Sequence, residues 1–139
     1  MAKKRVLLVE DDGDTRAMMQ KLLDRAGYKY AEAADGTEGL TQAERTHPDV
    51  ILLDVRMPGL DGFEVCRRLK QNPATAAIPV IFLTAVLDLM LNRLAFNAGA
   101  VACITKPFRT EALVAVIEAT IANVERRAKP KRKGGAIGD

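Results

Sequence analysis

An α/β fold built on a parallel five-stranded sheet is predicted by three observations on this 139-residue chain. Four short apolar runs, VLLVE, VILLD, VIFLT and VACITK, deliver polar residues at their ends: Glu10 with Asp11, Asp54, Thr84 and Lys106. Strands buried on both faces of a parallel sheet read as near-continuous Val/Ile/Leu runs of this kind. Strand-like and helix-like patterns also alternate from end to end, the order expected of βα units. Turn residues punctuate that alternation at the boundaries it requires.

The first strand is expected at Arg5 to Glu10. In the helix after it, Met19, Leu22, Leu23 and Ala26 follow the i, i+3, i+4, i+7 spacing of one buried face, and Gly27 closes it. A second strand at Lys29 to Ala33 leads to Asp35-Gly36, an Asp cap opening a helix that His47-Pro48 ends. The third strand, Val50 to Asp54, and the fourth, Val80 to Thr84, are separated by a helical period. The fifth is expected at Val101 to Thr105, followed by Lys106-Pro107, where a residue without an N–H suits a loop leaving a strand end. Leu113, Val116, Ile117, Ile121 and Val124 then mark the buried face of a last helix. Right-handed crossovers place helices on both faces of such a sheet, which leaves the carboxyl ends of the strands as the accessible rim.

After about Arg127 the sequence KPKRKGGAIGD has no apolar period, so residues 1–127 are read as one domain and 128–139 as a basic, disordered tail. A chain of this size buries roughly 68–70% of its unfolded surface, enough for one core. With 48% hydrophobic and 4% aromatic residues, that core must be aliphatic. The apolar segment near the N-terminus is too short for a signal-peptide core, and the stretch from Ala76 to Leu87 is broken by Pro79 and Thr84. It falls short of the about 18 residues a membrane span needs. A cytoplasmic protein without a membrane partner is expected, with Cys66 and Cys103 as reduced packing residues. His47, the only histidine, precedes Pro48 far from the acids and is assigned to the surface.

Charge is unevenly placed. Residues 1–124 carry 15 Lys/Arg against 16 Asp/Glu, whereas residues 125–139 carry six against two. The tail could attract nucleic acid, but it has no interleaved aromatic residues and no groove-binding helix, so a solvated tail is the reading and nucleic acid is not an expected partner.

The strand ends carry the chemistry. Two unit charges 4 Å apart repel by about 4 kcal/mol at an effective dielectric near 20, so clustered Glu10, Asp11 and Asp54 need a compensating cation. Hard oxygen donors in a partly open site are what Mg²⁺ prefers. Asp12, beside Gly13 and ahead of the first helix, reads as its cap rather than as a metal ligand. Asp54 is the candidate nucleophile toward a phosphoryl group, with the Thr84 hydroxyl and the Lys106 ammonium placed to meet phosphoryl oxygens.

The segments VLLVEDD, LLDVRMPGLDGFEV, IPVIFLTA and AGAVACITKPF, in that order, resemble the receiver domain of two-component response regulators, over residues 4 to about 124. The resemblance implies a flavodoxin-like, doubly wound sheet of order 2-1-3-4-5 with five helices. It implies Glu10 and Asp11 as the acidic pair, Asp54 as the phosphoacceptor, Thr84 as the switch hydroxyl and Lys106 as the phosphate-sensing lysine. The backbone carbonyl of Arg56 would complete the Mg²⁺ shell, and Lys106-Pro107 would be cis. A histidine kinase or histidine phosphotransfer protein would supply the phosphoryl group. The output would be altered protein binding, or a phosphorylation-dependent dimer, through the face of the fourth helix, fifth strand and fifth helix.

The chain departs from the family where Cys103 stands three residues before the lysine, a position that often holds Tyr or Phe. Leu89, Met90, Leu91, Leu94 and Phe96 offer more apolar surface than one helix face buries, a candidate binding surface. Arg56 and Val86, two residues after Asp54 and Thr84, should overhang the site and govern how water reaches an acyl phosphate. Three other readings compete. A Mg²⁺-dependent phosphohydrolase would want a general acid where Arg56 stands, and a flavin or nucleotide module a Gly-rich loop where the acids stand. The third is a receiver used for docking without phosphorylation.

Overall fold

The computed structural model describes residues 3–85 and 89–128, with side chains omitted at 89–92 and 128. Strands and helices alternate as β1 (Arg5–Val9), α1 (Gly13–Arg25), β2 (Lys29–Ala33), α2 (Gly36–Thr46), β3 (Val50–Asp54), α3 (Gly62–Gln71), β4 (Val80–Thr84), α4 (Leu89–Asn97), β5 (Ala102–Thr105) and α5 (Thr110–Ala128). All neighbouring strands pair in parallel, in the order β2-β1-β3-β4-β5.

Side chains alternate across each strand and so build two cores. Leu7, Val9, Ile51, Leu53, Val80 and Phe82 pack with Val65, Cys66 and Leu69 of α3 and Ala95 of α4. Val6, Leu8, Val50, Leu52, Ile81 and Leu83 pack instead with Met19 and Leu23 of α1 and Leu113, Ile117 and Ile121 of α5. Each of these large aliphatic side chains contributes ~1.5–3 kcal/mol on full burial, which is why runs apolar at every position form the central strands β1, β3 and β4. The edge strand β2 reads KYAEA, with two residues exposed, two half-buried and only Ala33 buried.

Helix starts follow the capping chemistry. Asp12, Asp35 and Asp61 each adopt extended backbone and accept the N–H of the residue three positions on. Gly27, at φ 93°, turns the chain out of α1 while its N–H bonds the Asp24 carbonyl and that of Tyr28 bonds Leu23. His47 is exposed and closes α2, as its place before Pro48 predicts, in the left-handed region at φ 46°.

Boundaries differ by one residue at two strands. β1 ends at Val9, because Glu10 turns toward α1 while its N–H still bonds the Ala33 carbonyl. β5 begins at Ala102, since Val101 leaves the Gly99-Ala100 turn with its side chain exposed. Ala26 is exposed rather than part of the buried α1 face, as it is already the C-cap. Cys66 is buried and Cys103 half-buried, both as free thiols. No described helix is long and apolar enough to cross a membrane. Val86, the side chains of Leu89, Met90 and Leu91, and the tail from 129 onward lie outside the described residues.

Candidate functional site

Parallel pairing brings the carboxyl ends of β1, β3, β4 and β5 to one rim. Val9 pairs with Leu53, Asp54 with Leu83 and Thr84 with Thr105, so the residues ending these strands stand side by side. One carboxylate oxygen from each of Glu10, Asp11 and Asp54 lies within 4.8 Å of the other two. Glu10 and Asp54 are buried, whereas Asp11 faces solvent. The rim is therefore a bowl with a closed floor and one open side.

Lys106 reaches into it from the end of β5. Its Nζ donates to Glu10 Oε1 at 2.9 Å and lies 3.8 Å from Asp54 Oδ2. The Lys106–Pro107 peptide is cis, and the Lys106 N–H donates to the Thr84 carbonyl. Thr84 is buried at the end of β4. The Arg56 N–H donates to Asp54 Oδ1 at 3.2 Å, and the Arg56 side chain is exposed on an open cavity of about 540 Å³ with Met57, Pro58, Asp61 and Phe63.

The carboxyls of the two buried acids are shifted in opposite directions. Burial opposes ionisation of Glu10, but the Lys106 ammonium and the Asp12 N–H outweigh it and keep the carboxyl below its usual range. For Asp54, burial first and the Glu10 charge second raise the pKa from 3.8 to about 6, against Lys106 and the Arg56 N–H. An acid so displaced at a strand-end rim marks a functional centre.

Gly62 sets how closely α3 approaches Asp54. A Cβ there would stand 2.4 Å from the Asp54 carbonyl oxygen and 2.9 Å from Val55 Cα, so only glycine lets α3 begin against the end of β3. The Gly62 N–H bonds the Val55 carbonyl across that contact.

All the strand-end residues singled out from the sequence thus meet at this rim, and Asp12 caps α1 as expected. Arg16 escaped that reading. Its guanidinium Nη1 donates to the Glu10 carbonyl at 2.8 Å and to the Asp11 carbonyl at 3.0 Å. A cation in the first turn of a helix opposes the helix dipole, and that placement was the available signal that Arg16 serves another purpose.

The sheet thus gathers at one rim three acids suited to a divalent cation and one ammonium beside them. Residues 6–118 match the response regulator receiver domain family model, and the chain belongs to that family. The DNA-binding dual master transcriptional regulator RpaA of Synechocystis is 37% identical over 122 residues, 88% of this chain and 51% of RpaA. The chain spans about half the length of the curated relatives it matches. Among solved structures, chemotaxis protein CheY4 of Vibrio cholerae matches at TM-score 0.82 and 32% identity, covering 86% of this chain and 99% of CheY4. The receiver domain of sensor histidine kinase PA1611 from Pseudomonas aeruginosa, with a magnesium ion coordinated in its active-site cleft, matches at TM-score 0.81 and 30% identity. It covers 87% of this chain and 99% of that one. Receiver domains are phosphoacceptors of two-component signal transduction rather than turnover enzymes, and they interact with histidine kinases.

Proposed function

We propose that Asp54 accepts a phosphoryl group from a histidine kinase or histidine phosphotransfer protein. The observation that carries this reading is the gathering of Glu10, Asp11 and Asp54 within 4.8 Å, with the Lys106 ammonium 3.8 Å from Asp54. Three carboxylates with one exposed edge are a hard-oxygen donor set that fits a partly hydrated Mg²⁺. Glu10, Asp11, Asp54 and the Arg56 carbonyl would hold the ion, which neutralises nonbridging phosphoryl oxygens when bound.

An Asp54 carboxylate oxygen forms the new P–O bond as the P–N bond of the phosphohistidine donor breaks, and the departing imidazole nitrogen takes a proton from water. Thr84 donates to one phosphoryl oxygen. Lys106 moves from Glu10 toward the incoming charge, a step its 2.9 Å and 3.8 Å separations from the two acids make short. Burial of Asp54 and Glu10 excludes bulk water from the floor and strengthens these contacts.

Rearrangement at Thr84 and Lys106 shifts the population of the α4-β5-α5 face, where Leu94, Phe96 and Val101 are exposed. That face binds a downstream protein or a second copy of the chain. Cys103, half-buried against the α3–α4 core, takes the place of a rotating ring, so the relay works through packing of β5 rather than through an aromatic rotamer. We assign the protein to the cytoplasm. Autodephosphorylation, not turnover of a separate substrate, is the only hydrolysis in this reading, because Arg56 occupies the position where a phosphohydrolase would want an acid.

Incubating the chain with Mg²⁺ and a small acyl-phosphate donor, then weighing the intact protein, tests the assignment. A gain of one phosphoryl group that Asp54→Asn abolishes is expected. Labelling that persists in that variant overturns Asp54 as the acceptor.

A further inference from the structure

We infer that Arg16 is a positioning residue for the cation site, fixing through backbone carbonyls the loop that carries Glu10 and Asp11. The inference rests on the Mg²⁺ reading above. Its geometry begins with one nitrogen. Arg16 Nη1 bears two hydrogens and spends them on successive carbonyls, those of Glu10 at 2.8 Å and Asp11 at 3.0 Å. Both carbonyls are thereby turned toward α1 and away from the rim.

Peptide planarity carries the effect to the acids. In a trans peptide the C=O and the following N–H point in opposite directions, and Lys106–Pro107 is the only cis peptide among the described residues. Holding the Asp11 carbonyl on Arg16 therefore aims the Asp12 N–H the other way, where it donates to Glu10 Oε2 at 3.1 Å. The other Glu10 oxygen takes Lys106 at 2.9 Å. Arg16 thus fixes one of the hydrogen bonds that set the Glu10 carboxylate, without itself touching a carboxylate of the site.

The guanidinium is anchored from behind. Its Nε lies 3.4 Å from Glu32 Oε2 on β2, and the Arg16 side chain is only 20% exposed. The Tyr30 hydroxyl lies 2.9 Å from Glu32 Oε1 and 3.1 Å from the Arg16 carbonyl oxygen, so the edge strand clamps both ends of the residue. A planar fork that serves two carbonyls and a carboxylate at once is a geometry lysine does not reproduce. The location agrees, since Arg16 stands in the first turn of α1, where the helix dipole disfavours a cation.

Groups that orient metal ligands typically change affinity 10–100-fold when removed. Arg16→Met, titrated with Mg²⁺ by calorimetry, should bind about tenfold more weakly than the parent chain. Leu22→Ala trims the same helix at a half-buried position away from the loop and serves as the stability control. It should lower the denaturant midpoint at least as far as Arg16→Met while binding Mg²⁺ as the parent does. Arg16→Met with parental affinity, or equal weakening in Leu22→Ala, overturns the inference while leaving the cation site in place. A parent chain that takes up no Mg²⁺ overturns both.

Discussion

Removing the charge of Asp54 should stabilise the metal-free protein. Asp54 is buried beside Glu10, and its pKa of about 6 against 3.8 in the ordinary carboxyl means that the folded chain binds its proton more tightly than the unfolded chain does. Between those pH values the folded state carries the extra proton, so stability falls as pH rises, by up to ~1.4 kcal/mol per pH unit. Above both values the ionised Asp54 costs the fold on the order of 3 kcal/mol relative to its protonated form. Asp54→Asn mimics that protonated form, since its carboxamide oxygen can still accept the Arg56 N–H. The variant loses the Lys106 attraction at 3.8 Å just as the protonated carboxyl does, so the gain stays on the order of 3 kcal/mol. Urea unfolding followed by circular dichroism, in chelator at pH 7, should show the variant more stable by that amount, with the advantage gone by about pH 4. Mg²⁺ at 100 times its dissociation constant should return about 2.7 kcal/mol to the parent chain alone and close the gap. A variant no more stable than the parent at pH 7, or one whose advantage survives at pH 4, refutes the reasoning.

Three further outcomes are expected. Arg56→Ala removes a side chain from the open cavity beside Asp54 and should speed loss of the acyl phosphate by roughly threefold to tenfold, a barrier change of ~0.7–1.4 kcal/mol, with Mg²⁺ affinity within about twofold; decay of labelled phosphoprotein measures it, and an unchanged rate contradicts it. Gly62→Ala should lower stability by about 1–3 kcal/mol and slow phosphorylation as well, because the new Cβ would drive against the Asp54 carbonyl; a variant with parental unfolding and labelling rate would show that α3 can move aside. Burial pushes the Cys66 thiol to about 11, so the fold is fully supported by its neutral form below the ordinary thiol value of 9.0 and loses that support as pH rises toward 11. The parent's stability should therefore fall more steeply than that of Cys66→Ala from pH 9 to 11, by up to about 2–3 kcal/mol across the interval; parallel slopes would exclude the thiol as the source.

What could be read in the sequence divides according to whether a residue acts through its side chain or through the backbone. The sheet was legible because β1, β3 and β4 are buried on both faces and leave an unbroken aliphatic signature. Glu10, Asp11, Asp54, Thr84 and Lys106 were legible for a related reason. A polar group that ends such a run has nowhere to go but the strand-end rim, and the pairing registers bring those ends together. Glu32 and Tyr30 gave no such signal, since an edge strand is polar on general grounds and a carboxylate there is unremarked.

Arg16 and Gly62 were missed because what they act on is main chain. Arg16 binds two carbonyls and Gly62 makes room for one. Every residue offers a carbonyl, so no residue type at a second position marks the partner and no spacing pattern reveals the pair. The signal available for Arg16 was a conflict with local preference: a cation in the first turn of a helix. Such conflicts persist where surrounding structure compensates them. For Arg16 the compensation is visible as the carbonyls of Glu10 and Asp11, which places the support of the rim one layer behind the acids that the strand ends display.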